Sequence, residues 1–288
     1  MALSQNDELL VKALEALPLL DGRFEQIRLV NYDALNDKKR GSLSLVFRAT
    51  DRHLAKAVAL KFFVIDPQLY NDAYRRAAFL REHEILQALA GSERCLQIAA
   101  PYSEYQFSLN VLGGMEVTIP CPYFAIEWVE ADVDDFFLEQ QNFDASTKLR
   151  LLNEVVLAVE ALHRQQIFHR DLKHDNIRAR LTGPKRVVVA IDLGTAAKYS
   201  SRSIQAQYGQ SVGAPGYAAP EAICGLAGVR VLAPYDDIYA IGCLLYELFN
   251  PGLFCLELQT RNPRYQAILT AIGSSLAGTA SEAQKVVA

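Results

Sequence analysis

The chain has no apolar run long enough to span a membrane, and its opening stretch carries Asp7, Glu8, Lys12 and Glu15 among the leucines, unlike a signal peptide. No membrane partner is expected. Cysteines are few and scattered: Cys95, Cys121, Cys224, Cys243 and Cys255 are odd in number and form no C-x-x-C pair. That excludes a disulfide framework and a zinc site of that pattern, and points to a reducing cytoplasm. An excess of one charge is also missing. Lys and Arg total 29 against 33 Asp and Glu, for a net charge of −4, and the isoelectric point is near 5.8. No nucleic acid is expected as a partner. There is no internal repeat and no low-complexity tract. What the chain does have is 288 residues, 51% of them hydrophobic and 22% charged with both signs interspersed. That is enough to bury a substantial core, as one large domain or two lobes. These totals leave the oligomeric state open.

Residues 3–20 place Leu9, Leu10, Ala13, Leu14 and Leu17 on one helical face, ending before Pro18. From Arg23 the period changes to two: Phe24, Ile27 and Leu29, then Val46 and Phe47, then Val58, Leu60, Phe62 and Val64. These are antiparallel strands with one buried face. An amphipathic helix follows from about Tyr70 to Ala90, with Phe79, Leu86 and Leu89 inward. Further strands cover Leu96–Ala99, Tyr105–Leu112 and Glu116 to Val129, with Gly113-Gly114 as a turn between two of them. Ala145–Gln165 is strongly helical, with Leu149, Leu152, Val155, Val156, Val159 and Leu162 as its apolar positions. Ile177–Leu181 and Val187–Ile191 form a hairpin about Thr182-Gly183-Pro184-Lys185. A Ser-, Gln- and Gly-rich stretch precedes Ala219-Pro220-Glu221, an apolar helix runs on from Asp237 through Phe249, and one more helix is expected around Arg264–Ser275.

The long helix ends on His169-Arg170-Asp171-Leu172-Lys173-His174-Asp175-Asn176. So short a loop can aim Asp171, Lys173 and Asn176 into one small volume. A carboxylate, an ammonium and an amide there suit a hydroxyl nucleophile, a phosphoryl group and a metal ion. The hairpin that follows returns the chain so that Asp192 sits beside Asn176. Taken alone, Asp192-Leu193-Gly194 is an ordinary turn at a strand end, and Lys61 is a solvent-facing lysine closing a strand.

In order and context these segments resemble the motifs of the eukaryotic-like (Hanks-type) serine/threonine protein kinases, in their bacterial form. The loop 169–176 resembles H-R-D-x-x-x-x-N, Ala57-Val58-Ala59-Leu60-Lys61 resembles the V-A-I-K strand, and Asp192-Leu193-Gly194 resembles D-F-G. Gly213 to Glu221 resembles G-T-P-G-Y-x-A-P-E, and Asp237 to Gly242 the buried helix beneath the catalytic loop. The resemblance implies an α+β, bilobal kinase-like fold: an N-lobe of antiparallel sheet plus one helix, and a mainly helical C-lobe that looks trimmed. It divides the chain into a helical extension (1–22), an N-lobe (23–126) and a hinge with C-lobe (127–288). It also implies the cofactors ATP and Mg²⁺, with Mn²⁺ as the alternative metal, and a protein substrate, the chain itself included. Asp171 would be the catalytic base, and Lys173 would steady the γ-phosphate as in serine/threonine kinases. Lys61 would contact the α- and β-phosphates, held by Glu82, with Glu84 as the competing carboxylate. Asn176 and Asp192 would be the metal ligands. Gly41, Val46, Ala59, Ile126, Glu127, Trp128 and Val129 would line the nucleotide, with Ile126 as gatekeeper. His169 would be a buried spine residue, while His163 and His174 read as polar surface positions. Asp237 would bond loop backbone. Arg170 implies control by phosphorylation of an activation segment containing Ser200, Ser201, Ser203, Tyr208 and Ser211.

Four features depart from the pattern. The phosphate-loop glycines fall at Lys39, Gly41 and Ser44, so only Gly41 is kept, and 31–40 reads as an insertion lengthening a hairpin. Lys38, Lys39 or Arg40 would then supply charge where backbone donors are lost, or else only solubilise the hairpin. Ala214 stands where the family has a threonine, and Arg178 where it has an apolar residue under adenine. The arginine that pairs with the A-P-E glutamate is not evident. Two other function classes therefore stand beside the kinase: a nucleotide-binding pseudokinase scaffold and a small-molecule phosphotransferase.

Overall fold

A computed structural model describes residues 2–39, 41, 44–111, 115–129, 142–182, 185–198, 213–214, 216–226, 229, 231–250 and 252–276. The chain forms two compact units, residues 1–90 with 96–128, and residues 91–95 with 129–288.

The first unit is built on an antiparallel five-stranded sheet in the order β1-β4-β5-β7-β6. Its strands are β1 (Phe24–Leu29), β4 (Ser44–Asp51), β5 (Lys56–Phe63), β6 (Ile98–Val111) and β7 (Met115–Glu127). A separate two-residue pair, β2 (Tyr32–Asp33) with β3 (Lys38–Lys39), occupies the stretch expected as a hairpin insertion. Phe24 and Ile27, three apart, are both buried because a bulge lies between Glu25 and Arg28, where Gln26 adopts φ 56°. β5 departs from the expected single buried face. As the central strand it is covered on both sides, and every residue from Val58 to Phe63 is buried.

One face of the sheet is closed by α1 (Gln5–Ala16), which Ser4 caps by accepting the Asp7 N–H. Leu10 and Leu14 pack there into a cluster with Leu45, Phe47, Leu60, Phe62 and Tyr123. Leu9, expected inward, is exposed, and Val11 is buried in its place. The other face receives α2 (Ala73–Ala88), capped by Asp72, with Phe79 against Phe124 at 5.0 Å between ring centroids.

The second unit centres on α3 (Ala145–Arg164) and α5 (Ala233–Phe249). The buried stripe of α3 runs Leu151, Val155, Ala158, Val159 and Leu162, spaced four, three, one and three. Leu149 and Val156 lie on the adjacent face and are 52% and 40% exposed, against expectation. Two small ladders join α3 to the site. β8 (Ile167–Phe168) pairs with β11 (Ala197–Lys198), and β9 (Ile177–Thr182) with β10 (Lys185–Ala190). The short α4 (Pro220–Ile223) follows the A-P-E residues. After α5 come two helices where one was expected, α6 (Phe254–Arg261) and α7 (Tyr265–Leu276). The second covers the expected stretch, the first is additional, and neither has a fully buried residue. Among the described residues no single helix is long and apolar enough to cross a membrane.

Candidate active site

The loop after β8 is held from below by one carboxylate. Asp237, fully buried near the start of α5, accepts the His169 N–H and the Arg170 N–H, both at 2.8 Å. His163 Nε2 donates to the same carboxylate at 2.8 Å. Three donors on one buried acceptor fix the loop backbone, and Arg170 is held in the left-handed region at φ 66°. His169, buried as expected, adds two links. Its Nε2 meets the Ile191 carbonyl at 2.9 Å, so that nitrogen carries the proton, and Nδ1 accepts the Asp171 N–H at 3.3 Å.

Asp171 is thereby aimed with both oxygens engaged. Oδ1 accepts the Ala214 N–H at 2.6 Å. Oδ2 faces Lys173 Nζ at 3.3 Å and Asn176 Nδ2 at 3.4 Å. The backbone of Ala214 therefore supplies a donor directly to the carboxylate, where the side chain supplies none. This approach depends on Gly213: at φ 98°, a Cβ there would lie 2.6 Å from the Arg170 carbonyl oxygen.

Asn176 is buried in a 3₁₀ turn (His174–Asn176), and its Nδ2 donates to the Asp171 carbonyl at 2.8 Å. That bond fixes the amide so that Oδ1 is its remaining ligating atom. Asp192 is brought alongside through its neighbour. Ile191 donates its N–H to the Asn176 carbonyl at 2.9 Å and gives its own carbonyl to His169. Asp192 then turns at φ 62° into a second 3₁₀ turn, Leu193–Thr195. An amide oxygen and a carboxylate form a hard-oxygen donor set of the kind Mg²⁺ prefers.

In the first unit, Lys61 Nζ contacts Glu82 Oε1 and Oε2, each at 2.7 Å, with side-chain exposures of 7% and 1%. Glu84 is exposed on the other side of α2. The registers Val46 to Lys61, Ala59 to Ile126 and Lys61 to Phe124 put Val46, Ala59, Lys61 and Ile126 on one face of the sheet. The Glu127 N–H pairs with the Gln97 carbonyl, and Glu127 Oε1 accepts the Gln97 N–H at 2.8 Å. Trp128 lies under the Arg48 guanidinium at 5.5 Å. The boundary between the two units falls between Trp128 and Val129. Gly41 has φ 73°. Lys39 does not extend from its loop: it is buried, and its ammonium bonds the Gly41 carbonyl at 2.6 Å and the Ser44 carbonyl at 3.3 Å. Lys38 is exposed, and Arg40 lies outside the described residues.

A family model described as the protein kinase domain matches residues 39–284. The chain belongs to the protein kinase family. Among its relatives is the serine/threonine-protein kinase PknD of Chlamydia muridarum, 26% identical over 79% of this chain and 24% of that protein. A probable serine/threonine-protein kinase of Corynebacterium efficiens, CE0033, is 31% identical over 72% of this chain and 29% of its own length. The death-associated protein kinase dapk-1 of Caenorhabditis elegans is 25% identical over 81% of this chain and 15% of its own. The chain thus spans less than a third of each of these relatives.

Within this kinase domain, Ser200, Ser201, Ser203, Tyr208 and Ser211 of the expected activation segment lie outside the described residues. Arg178 is half-buried, with its guanidinium turned back to the Ile177 carbonyl at 2.8 Å. Two histidines correct the sequence reading. His163 is the third donor to Asp237, not a surface group. His174 is largely covered, with Nδ1 at 2.6 Å from the Tyr217 hydroxyl. No sequence signal marks either, because their partners lie 74 and 43 positions away along the chain.

Proposed function

We propose that the chain is an ATP-dependent serine/threonine protein kinase that transfers the γ-phosphoryl group to a protein hydroxyl, its own chain included. The observation that carries this reading is the set of donors on Asp171. One oxygen takes the Ala214 N–H, and the other faces Lys173 and Asn176. A carboxylate held this way keeps a lone pair aimed at an incoming hydroxyl, orients it, and takes its proton as the oxygen attacks phosphorus. The bond from the γ-phosphorus to the bridging oxygen breaks and ADP leaves. Lys173 neutralises charge on the transferred group, and Lys61, held by Glu82, would contact the α- and β-phosphates. Val46, Ala59 and Ile126 would cover adenine, with backbone from Glu127 to Val129 binding its edge. Asn176 and Asp192 would hold Mg²⁺, which when bound neutralises phosphate charge. We place the protein in a reducing cytoplasm, a reading supported by five free cysteines of which four are buried. Arg170 beneath the loop supports control by phosphate added between 195 and 213.

A nucleotide-binding scaffold is the second reading, and the inward turn of Lys39 favours it, because that ammonium serves loop carbonyls instead of reaching outward. One experiment separates the two: incubation with labelled ATP and Mg²⁺, followed by phosphosite mapping on the chain and on casein. The kinase reading expects incorporation that falls by about a hundredfold or more in Asp171→Asn, the usual scale for losing a general base. It also expects phosphosites between 195 and 213. Undiminished incorporation in Asp171→Asn removes the assignment of the base, and ATP binding without incorporation favours the scaffold.

A further inference from the structure

β6 is the outermost strand of the five-stranded sheet, so one of its sides meets no other strand. At 14 residues it is more than twice the mean strand length of about six. Its two halves differ. The first half carries features that keep an edge strand from pairing further. Pro101 interrupts it, and the register shifts between Ile98 and Ala100 and again between Ala100 and Ser103. The Tyr102 N–H is taken by His83 on α2 at 3.1 Å, and the Ala99 carbonyl by Arg23 at 2.9 Å. From Tyr105 to Val111 there is no proline, no charged residue and no register shift.

Two prolines on β7 show which way the backbone of this half points. Pro122 and Pro120 stand opposite Glu104 and Gln106. Proline has no N–H to give, and the Pro120 carbonyl takes the Tyr70 hydroxyl at 2.7 Å. These pairs are therefore the non-hydrogen-bonded kind, and the N–H and carbonyl of Glu104, Gln106 and, two further on, Ser108 point outward from the sheet edge. Among the described residues no hydrogen bond takes those groups. The sheet is also narrow here. β5 pairs with β7 only as far as Phe62 with Tyr123, so between Pro122 and Met115 it is a ribbon of two strands. On the β7 side the two prolines and the exposed Glu116 close that ribbon to a third strand; the β6 side is open.

We propose that the 105–111 half of β6 is a self-association edge, which pairs antiparallel with the same segment of a second copy of this chain. The segment is complementary to itself. With a two-fold axis through Ser108, position 106 of one copy pairs with 110 of the other, and 108 pairs with 108. The outward backbone groups at those positions then meet and exchange hydrogen bonds. Each pair joins two even or two odd positions. Tyr105, Phe107 and Leu109, which lie against the core cluster, therefore meet one another across the axis, and exposed Gln106 and Ser108 stay on the other face. No like charges are brought together, and a two-stranded ribbon becomes part of a four-stranded sheet. So short an edge makes a small interface, and the association should be weak and dependent on concentration. It involves the first unit only and holds whether or not the chain transfers phosphate.

The test is sedimentation velocity of the full chain from about 5 to about 500 μM, the weak end of affinities for protein interfaces. Wild type should pass from monomer to dimer across that range. Ser108→Pro removes an outward N–H and leaves the ladder to β7 intact, so it should stay monomeric. Ser108→Lys and Ser108→Glu each set like charges face to face at the axis, and each alone should weaken the dimer by about tenfold or more. An equimolar mixture of the Lys and Glu variants should restore it, an outcome that only pairing of 108 with 108 explains. Amide exchange gives a second readout. Protection should rise with concentration at Gln106 and Ser108, while Phe107 and Leu109, already bonded to β7, should not change. Those two amides also report whether Ser108→Pro folds as wild type; if it does not, the exposed Lys and Glu substitutions decide the matter. A wild type that stays monomeric throughout overturns the proposal. So does a dimer that the single Lys and Glu variants leave intact, or one whose new protection lies away from β6.

Discussion

The ion pair of Lys61 and Glu82 shows how much a single residue carries in this chain. Both side chains are almost fully covered, and each oxygen of the carboxylate sits 2.7 Å from the ammonium. A buried pair of this kind adds little net stability over a well-packed apolar pair, but breaking it strands a charge. Glu82→Gln removes the carboxylate from this buried pair and should cost about 3–5 kcal/mol by denaturant unfolding, the range for removing one partner of a buried pair. Glu84→Gln, on the exposed side of the same helix, should stay within about 0.5 kcal/mol, as surface substitutions do. Equal losses at the two positions would contradict the pairing. The sequence favoured Glu82 over Glu84, because the family spacing places a leucine, here Leu86, four residues after the pairing glutamate. In the structure Glu82 lies on the buried face beside Phe79 and Leu86, with its carboxylate on Lys61.

At the scale of elements, periodicity exposed the long helices but not always their buried side. α3 is amphipathic, yet its covered stripe runs through Leu151, Val155, Ala158, Val159 and Leu162, and Leu149 and Val156 are left outside. Periodicity finds a helix; neighbours decide which of two adjacent stripes is covered. The motif residues of the site were legible because each group is contiguous in the chain. What holds them was less so: Asp237 carried a family expectation, but its bond to His163 and the bond between His174 and Tyr217 join positions distant in sequence. The N-terminal helix is a second case. α1 is more than an apolar cover, because the Asp7 carboxylate is buried and accepts the Ile65 N–H at 2.8 Å as well as the Ser4 hydroxyl at 2.8 Å. Ile65 lies four residues beyond Lys61, at the start of the connection to α2. Asp7→Ala would leave a buried N–H without an acceptor, which should cost about 1–3 kcal/mol. Hydrogen exchange should speed up at Ile65 and along the end of β5 in that variant. Unchanged protection there would mean that α1 is a cover and not a brace.

At the scale of the whole molecule, the sequence conveyed order, class and chemistry, and it misjudged surfaces. The antiparallel sheet with its helix and the mainly helical remainder follow the family pattern. α6 went unseen, and so did the burial of β5 on both faces, since neither is encoded in a local period. The phosphate loop is the most instructive error. Lys39 reads as a surface charge among Lys38 and Arg40, whereas its ammonium is folded back onto the carbonyls of Gly41 and Ser44. Asn31 assists by taking the Val46 N–H on its Oδ1 and giving its amide to the Ser44 carbonyl. A loop short of glycine is thus shaped from inside by side chains, and on the kinase reading proposed above phosphate charge would fall to Lys61, Lys173 and a metal held by Asn176 and Asp192. Nucleotide binding should therefore depend strongly on metal. At a hundred times its dissociation constant, a ligand adds about 2.7 kcal/mol to stability. For a chain of this size that raises Tm by roughly 5–10 °C. ATP with Mg²⁺ should produce a rise of that order, and chelation with EDTA should remove most of it. In Asp192→Asn, ATP should give the same small rise with or without Mg²⁺, because the carboxylate that would hold the metal is gone while Asn176 and the Lys61–Glu82 pair are untouched. A full Mg²⁺-dependent rise in that variant would take Asp192 out of the metal site.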